Sequence, residues 1–593
     1  MKKILYLLCG AMMVTGTFVS CDLDSMSMTE KDTSNFPANE KDANQALAAI
    51  YQNLNAVNAN PQQSFFYLSM LASDDNLGGG GTNDKLMQAL DLLLNNNANM
   101  TEQFYKDRYQ GINRANTLIQ ALSSVALDEA IKLQTMGEAK FLRAFYYYEL
   151  ASMYGRVPLV TTPTVPKDPT PPASSVIWRQ ILQDLYEAAT TMPAVRKTNG
   201  HVDRYGAAAL LGRAWLFYTG FYCNGETTAD LVSSSYKPLT SVKLPNGETL
   251  TKEQVITCID DCVNNSGYSL VQDFRCLWAY TNRFTVEDYP YTAGKGLKWV
   301  EDDNGVNPES MFAIKYNKLA DWATTIGYGN GYALHFGIRA ASNNADYFPF
   351  GQGWGAGPVS PNLVQDWEIA DKDNKDIRRS ASLQNASEFP HYTFGGGGDW
   401  VQETGYIEKK LLPVTCKDKT QKSGYACCFE NLMYGTDGWL QGSYNMQLNN
   451  IHDLVLIRFA DVLLMQSELK EDVQGINKVR ARAGLTPLTA YSLEALQQER
   501  RWELCFEGVR WNDIRRWHIA SEALDKQLNK PIYTGGAADK NVAVNGGYSA
   551  RYKATAGFQK KPENQVTLSN GTLTQNDGWG DASSEYAGWV GAK

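Results

Sequence analysis

The sequence predicts a mainly α protein, built of closely stacked helices with a long loop-rich and aromatic-rich excursion set among them. Three observations lead there. Apolar residues recur at helical spacing from Lys41 to Met192, and again from His452 to about Ala523. The segment Asp203–Thr219 is crowded with Gly206, Ala207, Ala208, Ala209, Gly212 and Ala214, small residues that let helices approach closely. Between about Ser233 and Asn450 the helical period gives way to Gly- and aromatic-rich chain with only short helices.

In chain order, Asp128 opens a long helix that runs to Tyr154. Ala139, Leu142, Tyr146, Leu150 and Met153 line one face and Phe141, Phe145 and Tyr148 a second, so it is expected to be buried on two sides. Gly155 stops it and Pro158 prevents its resumption. The Pro-rich stretch from Thr162 to Pro172 is a stiff connector. Helices are expected over Ile177–Met192 and Asp203–Thr219, and Leu211-Gly212-x-x-Trp215 in the latter echoes part of the tetratricopeptide pattern. Within the excursion Lys252–Asn265 reads as a short helix, and the tail from Lys530 to Lys593 reads as polar and irregular. Loops carried on a rigid scaffold are where recognition is expected.

The N-terminus carries an export signal. Lys2 and Lys3 precede an apolar run from Ile4 to Val19 that is too short to span a bilayer and ends in Phe18-Val19-Ser20-Cys21. A small residue directly before a cysteine suits lipoprotein processing, so residues 1–20 are read as a signal peptide and Cys21 as the lipidated residue. Each CH₂ of an acyl anchor contributes about 0.8 kcal/mol of membrane affinity. Asp22 and Asp24 resemble acidic surface-export signals. A net charge of −9 over 593 residues argues against nucleic acid as a partner. With 32 Tyr and 14 Trp the chain is well supplied with rings for amphipathic ligands. The remaining cysteines form no CxxC pair, which points to buried thiols with one or two disulfides rather than a zinc site.

Motifs for catalysis are missing: there is no GxSxG, HExxH or Walker loop. Gly78 to Gly81 reads as a flexible loop. Asp371 to Asp376 has the spacing of a calcium loop, but Lys375 stands at a ligand position and the turn glycine is lacking, so no metal is expected. The run Glu499–Trp517 is dense in charge. Glu499, Glu503 and Glu507 share one helix face, and with Arg500 and Arg510 as partners they read as a structural ion-pair network rather than an acid/base site.

Several stretches carry a family resemblance. Phe141-Leu142-Arg143-Ala144-Phe145-Tyr146-Tyr147-Tyr148-Glu149-Leu150 and the following Tyr154-Gly155-Arg156-Val157-Pro158-Leu159 resemble the N-terminal signature of the SusD/RagB family of nutrient-binding outer-membrane lipoproteins. Leu456 to Met465, Ile476 to Leu485, the Glu499–Trp517 run and Leu573 to Trp579 are further matches. Asp577 stands where Pro is common, and Gln559-Lys560-Lys561-Pro562 departs from the family pattern. The resemblance implies a tetratricopeptide-like scaffold with a loop-rich ligand face, divided as residues 21–230 and 231–593. It also implies capture without catalysis or cofactor, and a SusC-like TonB-dependent transporter on which the lipoprotein sits as a lid.

For the ligand, a glycan is favoured, because sugar rings have an apolar CH face and a polar rim. The expected platform is Trp322, Tyr328, Tyr332, Phe336, Tyr347, Phe348 and Trp354, interleaved with glycines, with Arg339, Asn343 and Asn344 as polar contacts. Asp74, Asp75 and Asn76 form a second candidate. The competing reading for each ring is packing within the loop's own small core. A peptide is the alternative ligand, and a glycoside hydrolase would need a facing carboxylate pair that no spacing singles out.

Overall fold

The computed structural model describes residues 36–589 except 57–59, 168, 224, 226, 229–235, 303–304, 317–328, 340–345, 390, 396–397, 420–423, 428–449 and 581–583. The signal segment and Cys21 therefore lie outside the described residues.

The first half is a succession of helices in which each packs on the next: Glu40–Asn55, Glu102–Leu122, Glu129–Tyr154, Ser174–Thr191, Arg204–Phe221 and Lys252–Asn265. Their ends follow local chemistry. The Asp128 carboxylate accepts from the backbone N–H of Ala130 at 3.0 Å and Ile131 at 3.3 Å, and Gly155 closes the same helix at φ 68°. The Asp203 carboxylate caps Arg204–Phe221 in the same way, through Tyr205 and Gly206. From Phe141 to Tyr154 the long helix is buried on every side, as its two apolar faces predict. Gly212 is where the scaffold closes: a Cβ there would lie 2.9 Å from Ile259 and 3.3 Å from Met465, so the helices Lys252–Asn265 and Phe459–Lys470 both reach it.

Two expectations need correction. The segment after His452 starts as a strand, Leu454–Arg458, because it pairs antiparallel with Ser310–Ile314. The tail is not irregular: Pro531–Thr534 and Ala537–Lys540 form a hairpin, and helices Tyr548–Thr555 and Glu563–Leu568 follow. Among the described residues Cys258, Cys262, Cys276, Cys416 and Cys505 are free thiols.

The charged run folds into the helices Leu493–Leu504 and Arg510–Arg516 and sits at the joint between them and the strand pair. Glu503 is fully buried. Its carboxylate accepts from Arg458 Nη1 at 2.5 Å, from Arg378 Nη1 at 3.1 Å and from Arg482 Nη2. Glu507 accepts from Arg458 Nε at 2.6 Å and Lys410 Nζ at 2.7 Å, and Glu499 from Arg378 at 2.6 Å and Arg480 at 3.0 Å. Glu309 and Asp376 complete the balance through Arg458, Arg482 and Arg378. The network is structural, as expected, but its partners differ. Arg500 binds Asp461 and Asp513 instead, and Arg510 binds Asp74.

Burial alone would raise the Glu503 carboxyl, yet Arg482, Arg458 and Arg378 together hold it well below its ordinary value. Replacing Glu503 by Ala strands guanidiniums in the interior and is expected to cost about 3–5 kcal/mol, read as a lower Tm. The folded pKa is depressed, so this stabilisation is complete above the unfolded value of about 4.3 and is lost as pH falls through the folded one. Acid-induced melting of the wild-type chain should therefore steepen below pH about 4, and the loss on acidification should be smaller in Glu503→Ala.

Candidate functional site

Four stretches of loop interlace into one layer beside the scaffold. Single bridges join Asn76 to Val359, Gly79 to Ala356, Gly81 to Trp400, Phe350 to Val414 and Glu403 to Tyr533. A two-residue parallel pair links Ile338–Arg339 to Gln352–Gly353. The glycine run is therefore packed rather than flexible. Gly79 sits at φ +67°, and a Cβ there would run into the Gly355 carbonyl and the Pro358 ring.

Arg339 clasps the layer. Its guanidinium donates to Asp399 at 2.9 and 2.6 Å, to Asp84 at 2.9 Å and to the Trp354 carbonyl at 3.0 Å. Trp400 Nε1 donates to the Gly355 carbonyl at 3.0 Å, and the Trp400 carbonyl accepts from Gly535 N–H at 2.8 Å. That last bond brings the Pro531–Thr534 hairpin against the layer.

A run of rings crosses it. Phe350 meets Phe389 edge-on, Phe389 stacks on Tyr392, Tyr392 meets Phe394 edge-on, and Phe394 stacks on Tyr533 with centroids 3.8 Å apart at 23°. The run goes from interior to surface: Phe350 is fully buried and Phe394 is 37% exposed. Behind it, the Tyr392 hydroxyl donates to Glu403, which also accepts from Gly395 N–H at 2.7 Å. Burial pushes Glu403 up to about 7 despite these bonds.

The residues expected from sequence are divided by this layer. Trp354 belongs to it and is half-buried, and Arg339 is its clasp, already saturated by two carboxylates and a carbonyl. Tyr332 is not a platform: it is 2% exposed, its hydroxyl donates to Ser64 Oγ at 2.9 Å, and its ring meets Phe66 edge-on. Asp74, Asp75 and Asn76 are not a ligand site either. Each is 1% exposed; Asp74 is gripped by Arg501 and Arg510, Asp75 by Arg501, and Asn76 donates to the Gly357 carbonyl. Phe336 and Tyr347 are buried and Phe348 lies half-buried on Tyr425. Trp322, Tyr328, Asn343 and Asn344 lie outside the described residues. Sequence reading missed Tyr392, Phe394, Asp399 and Tyr533. Their signal was present: Tyr392-Thr393-Phe394 before Gly395 to Gly398, and Tyr533-Thr534 before Gly535-Gly536, repeat the ring-then-glycine pattern of the 322–354 stretch.

Known proteins share this fold. Residues 308–579 match the SusD family, and residues 23–220 match a family described as starch-binding associating with outer membrane. The chain belongs to the SusD/RagB family. This SusD-family chain is 24% identical to the SusD-like protein P2 of Formosa agariphila over 77% of its own length and 79% of that protein's. It superposes on surface glycan-binding protein A from Bacteroides fluxus with a TM-score of 0.65 at 21% identity, covering 92% of this chain and 100% of that one. A laminarin binding SusD-like protein gives 0.62 at 23% identity, over 91% and 100%. The Bacteroides thetaiotaomicron surface glycan-binding protein A, in complex with laminarihexaose, gives 0.63 at 18%, over 91% and 99%. At these identities the likeness is one of fold, the mainly α tetratricopeptide-like architecture expected from sequence.

Gly79→Ala separates packing from conformational strain. Gly247 has φ +89° and open space around its missing Cβ, so Gly247→Ala should cost only the strain of a left-handed residue, about 1–3 kcal/mol. Gly79→Ala should lower the Tm distinctly further, since it adds the collision with Gly355 and Pro358. Equal shifts in thermal melting would mean that the loop layer yields without cost.

Proposed function

We propose that this SusD-family protein captures an oligo- or polysaccharide on the loop layer and passes it, chemically unchanged, to a SusC-like TonB-dependent transporter. In this reading it is held on the outer membrane, facing outward, by lipid on Cys21. The single observation that carries the glycan reading is the Phe394–Tyr533 stack at the exposed end of the aromatic run, with Asp399 and Asp84 partly exposed beside the Arg339 clasp. Flat rings meet the CH face of a sugar and the carboxylates accept from its hydroxyls. Trp354 is a further contact ring within this layer, and Trp322 and Tyr328 remain proposed contacts. The names of the structurally similar proteins, laminarin binding and glycan-binding, support the same ligand class.

The energetics suit transfer. Each aromatic stack contributes about 0.5–1.5 kcal/mol. Two or three stacks with a few net hydrogen bonds of about 1 kcal/mol each give micromolar to millimolar affinity. Cargo bound that weakly leaves readily.

Calorimetric titration of the soluble chain with a panel of oligosaccharides and peptides tests the reading. Phe394→Ala and Trp354→Ala are each expected to weaken glycan binding several-fold, the equivalent of about one stack. Their loss of stability should fall well below the about 3–5 kcal/mol of a buried ring. Peptide binding without glycan binding, or glycan binding untouched by both variants, would contradict it. In cells, Cys21→Ala should move the protein from the membrane to the soluble fraction, and persistent membrane anchoring would refute the lipid.

A further inference from the structure

A cavity of about 330 Å³ opens on the scaffold side and shares no wall residue with the loop layer. Its wall joins the loop after the helix Ser174–Thr191, which supplies Arg196, Lys197 and His201, to the chain flanking the strand Ser310–Ile314, which supplies Glu301 before it and Lys315 after it, and to Asp453, just before the strand Leu454–Arg458.

The charges around it do not cancel. Lys315 is paired with Asp453. His201 Nδ1 lies 2.8 Å from Glu138, and that hydrogen bond raises the imidazole pKa. Burial, with the Asp453 charge beside it, raises the Glu301 carboxyl well above its ordinary value, and its Oε1 accepts from Asn307 Nδ2 at 3.1 Å. Arg196 lies 4.2 Å from the centroid of the Tyr268 ring, and its two terminal nitrogens donate to the carbonyls of Gly267 at 3.1 Å and Asn307 at 3.2 Å. Those partners fix the guanidinium in place without neutralising it. Lys197 uses its backbone N–H on Asp203, and among the described residues its ammonium is in no ion pair. Among the described residues, therefore, Arg196 and Lys197 line the cavity with no ion-pair partner, in a chain whose net charge is −9.

We propose that this cavity is a second ligand site, which takes a single sugar unit bearing one negative charge, a carboxylate or a sulfate ester, held by Arg196 and Lys197. The rest of the wall accounts for the sugar. His201 and Glu301 give hydroxyl groups hydrogen-bond partners that an apolar acid would not use. The two sites then divide their ligands by charge, because the rim of the loop layer carries Asp84 and Asp399, whose charges oppose an acidic unit. The proposal is independent of glycan capture at the loop layer and survives its failure.

Ligand-observed NMR and calorimetry on the soluble chain test it, with glucuronate, glucose 6-sulfate, glucose, acetate and inorganic sulfate as probes. At least one of the two charged sugars should bind about tenfold or more tighter than glucose, and the one that binds identifies the acid. Lys197→Gln removes a charge with no side-chain partner to strand, so it should leave the Tm unchanged and weaken that binding several-fold. Phe394→Ala should leave it intact. Four results overturn the proposal: no binding of either charged sugar, equal binding of glucose, acetate or sulfate binding as tightly as the sugar acids, or affinity unmoved in a folded Lys197→Gln chain.

Discussion

Glu503, enclosed among Arg378, Arg458 and Arg482, is the interaction that the rest of the structure depends on. Three buried guanidiniums around a buried carboxylate are tolerable only while every partner is in place, since one missing charge leaves the others unpaired in a low dielectric. The partners come from different parts of the chain: Arg378 from the excursion, Arg458 from the strand that pairs with Ser310–Ile314, and Arg482 from the helix Gln474–Arg482. Satisfying the site therefore fixes the strand pair, the C-terminal helices and the inner edge of the excursion in one geometry. The same helices extend the arrangement outward. Arg501 and Arg510 grip Asp74 and Asp75, which positions the glycine run, and the glycine run is one edge of the loop layer.

A rigid base of this kind lets loops act as a binding surface. Chain with few regular elements would lose much entropy on ordering at the moment of binding. Here close backbone approach at Gly79 and Gly355, together with the Arg339 clasp, orders the layer beforehand. Rings can then stand half-exposed with their inner faces packed, Phe394 on Tyr533 and Tyr392 on Phe389. On the proposed reading the stability of the protein and the affinity of the face belong to different residues, with the charged corner supplying one and the aromatic run the other.

The parts of this design that depend on local chemistry were legible in the sequence. Asp128, Gly155 and Asp203 mark helix ends because caps act within a few residues, and the two apolar faces of Glu129–Tyr154 declare its burial. The parts set by distant partners were not. Asp74 to Asn76 look like a polar loop until Arg501 and Arg510, more than four hundred positions away, come into contact with them. Tyr332 looks like a displayed ring until Ser64 and Phe66 cover it. The hairpin Pro531–Thr534 has little period of its own and takes its place from Glu403 and Trp400. The ring-then-glycine pattern marked the right kind of segment, and long-range packing decided which rings reach the surface.

The central claim is that a scaffold locked by charge presents a preformed aromatic face to a glycan. Hydrogen exchange of the soluble chain, with and without a saturating laminari-oligosaccharide or whichever glycan the titrations select, tests it most directly. The account predicts new protection confined to residues 78–84, 322–328, 346–360, 391–406 and 531–537, with the peptides spanning Glu499–Trp517 already slow in the free protein and unchanged on binding. Protection that appears at the charged corner or along the N-terminal helices, with the loop layer unaffected, would contradict it.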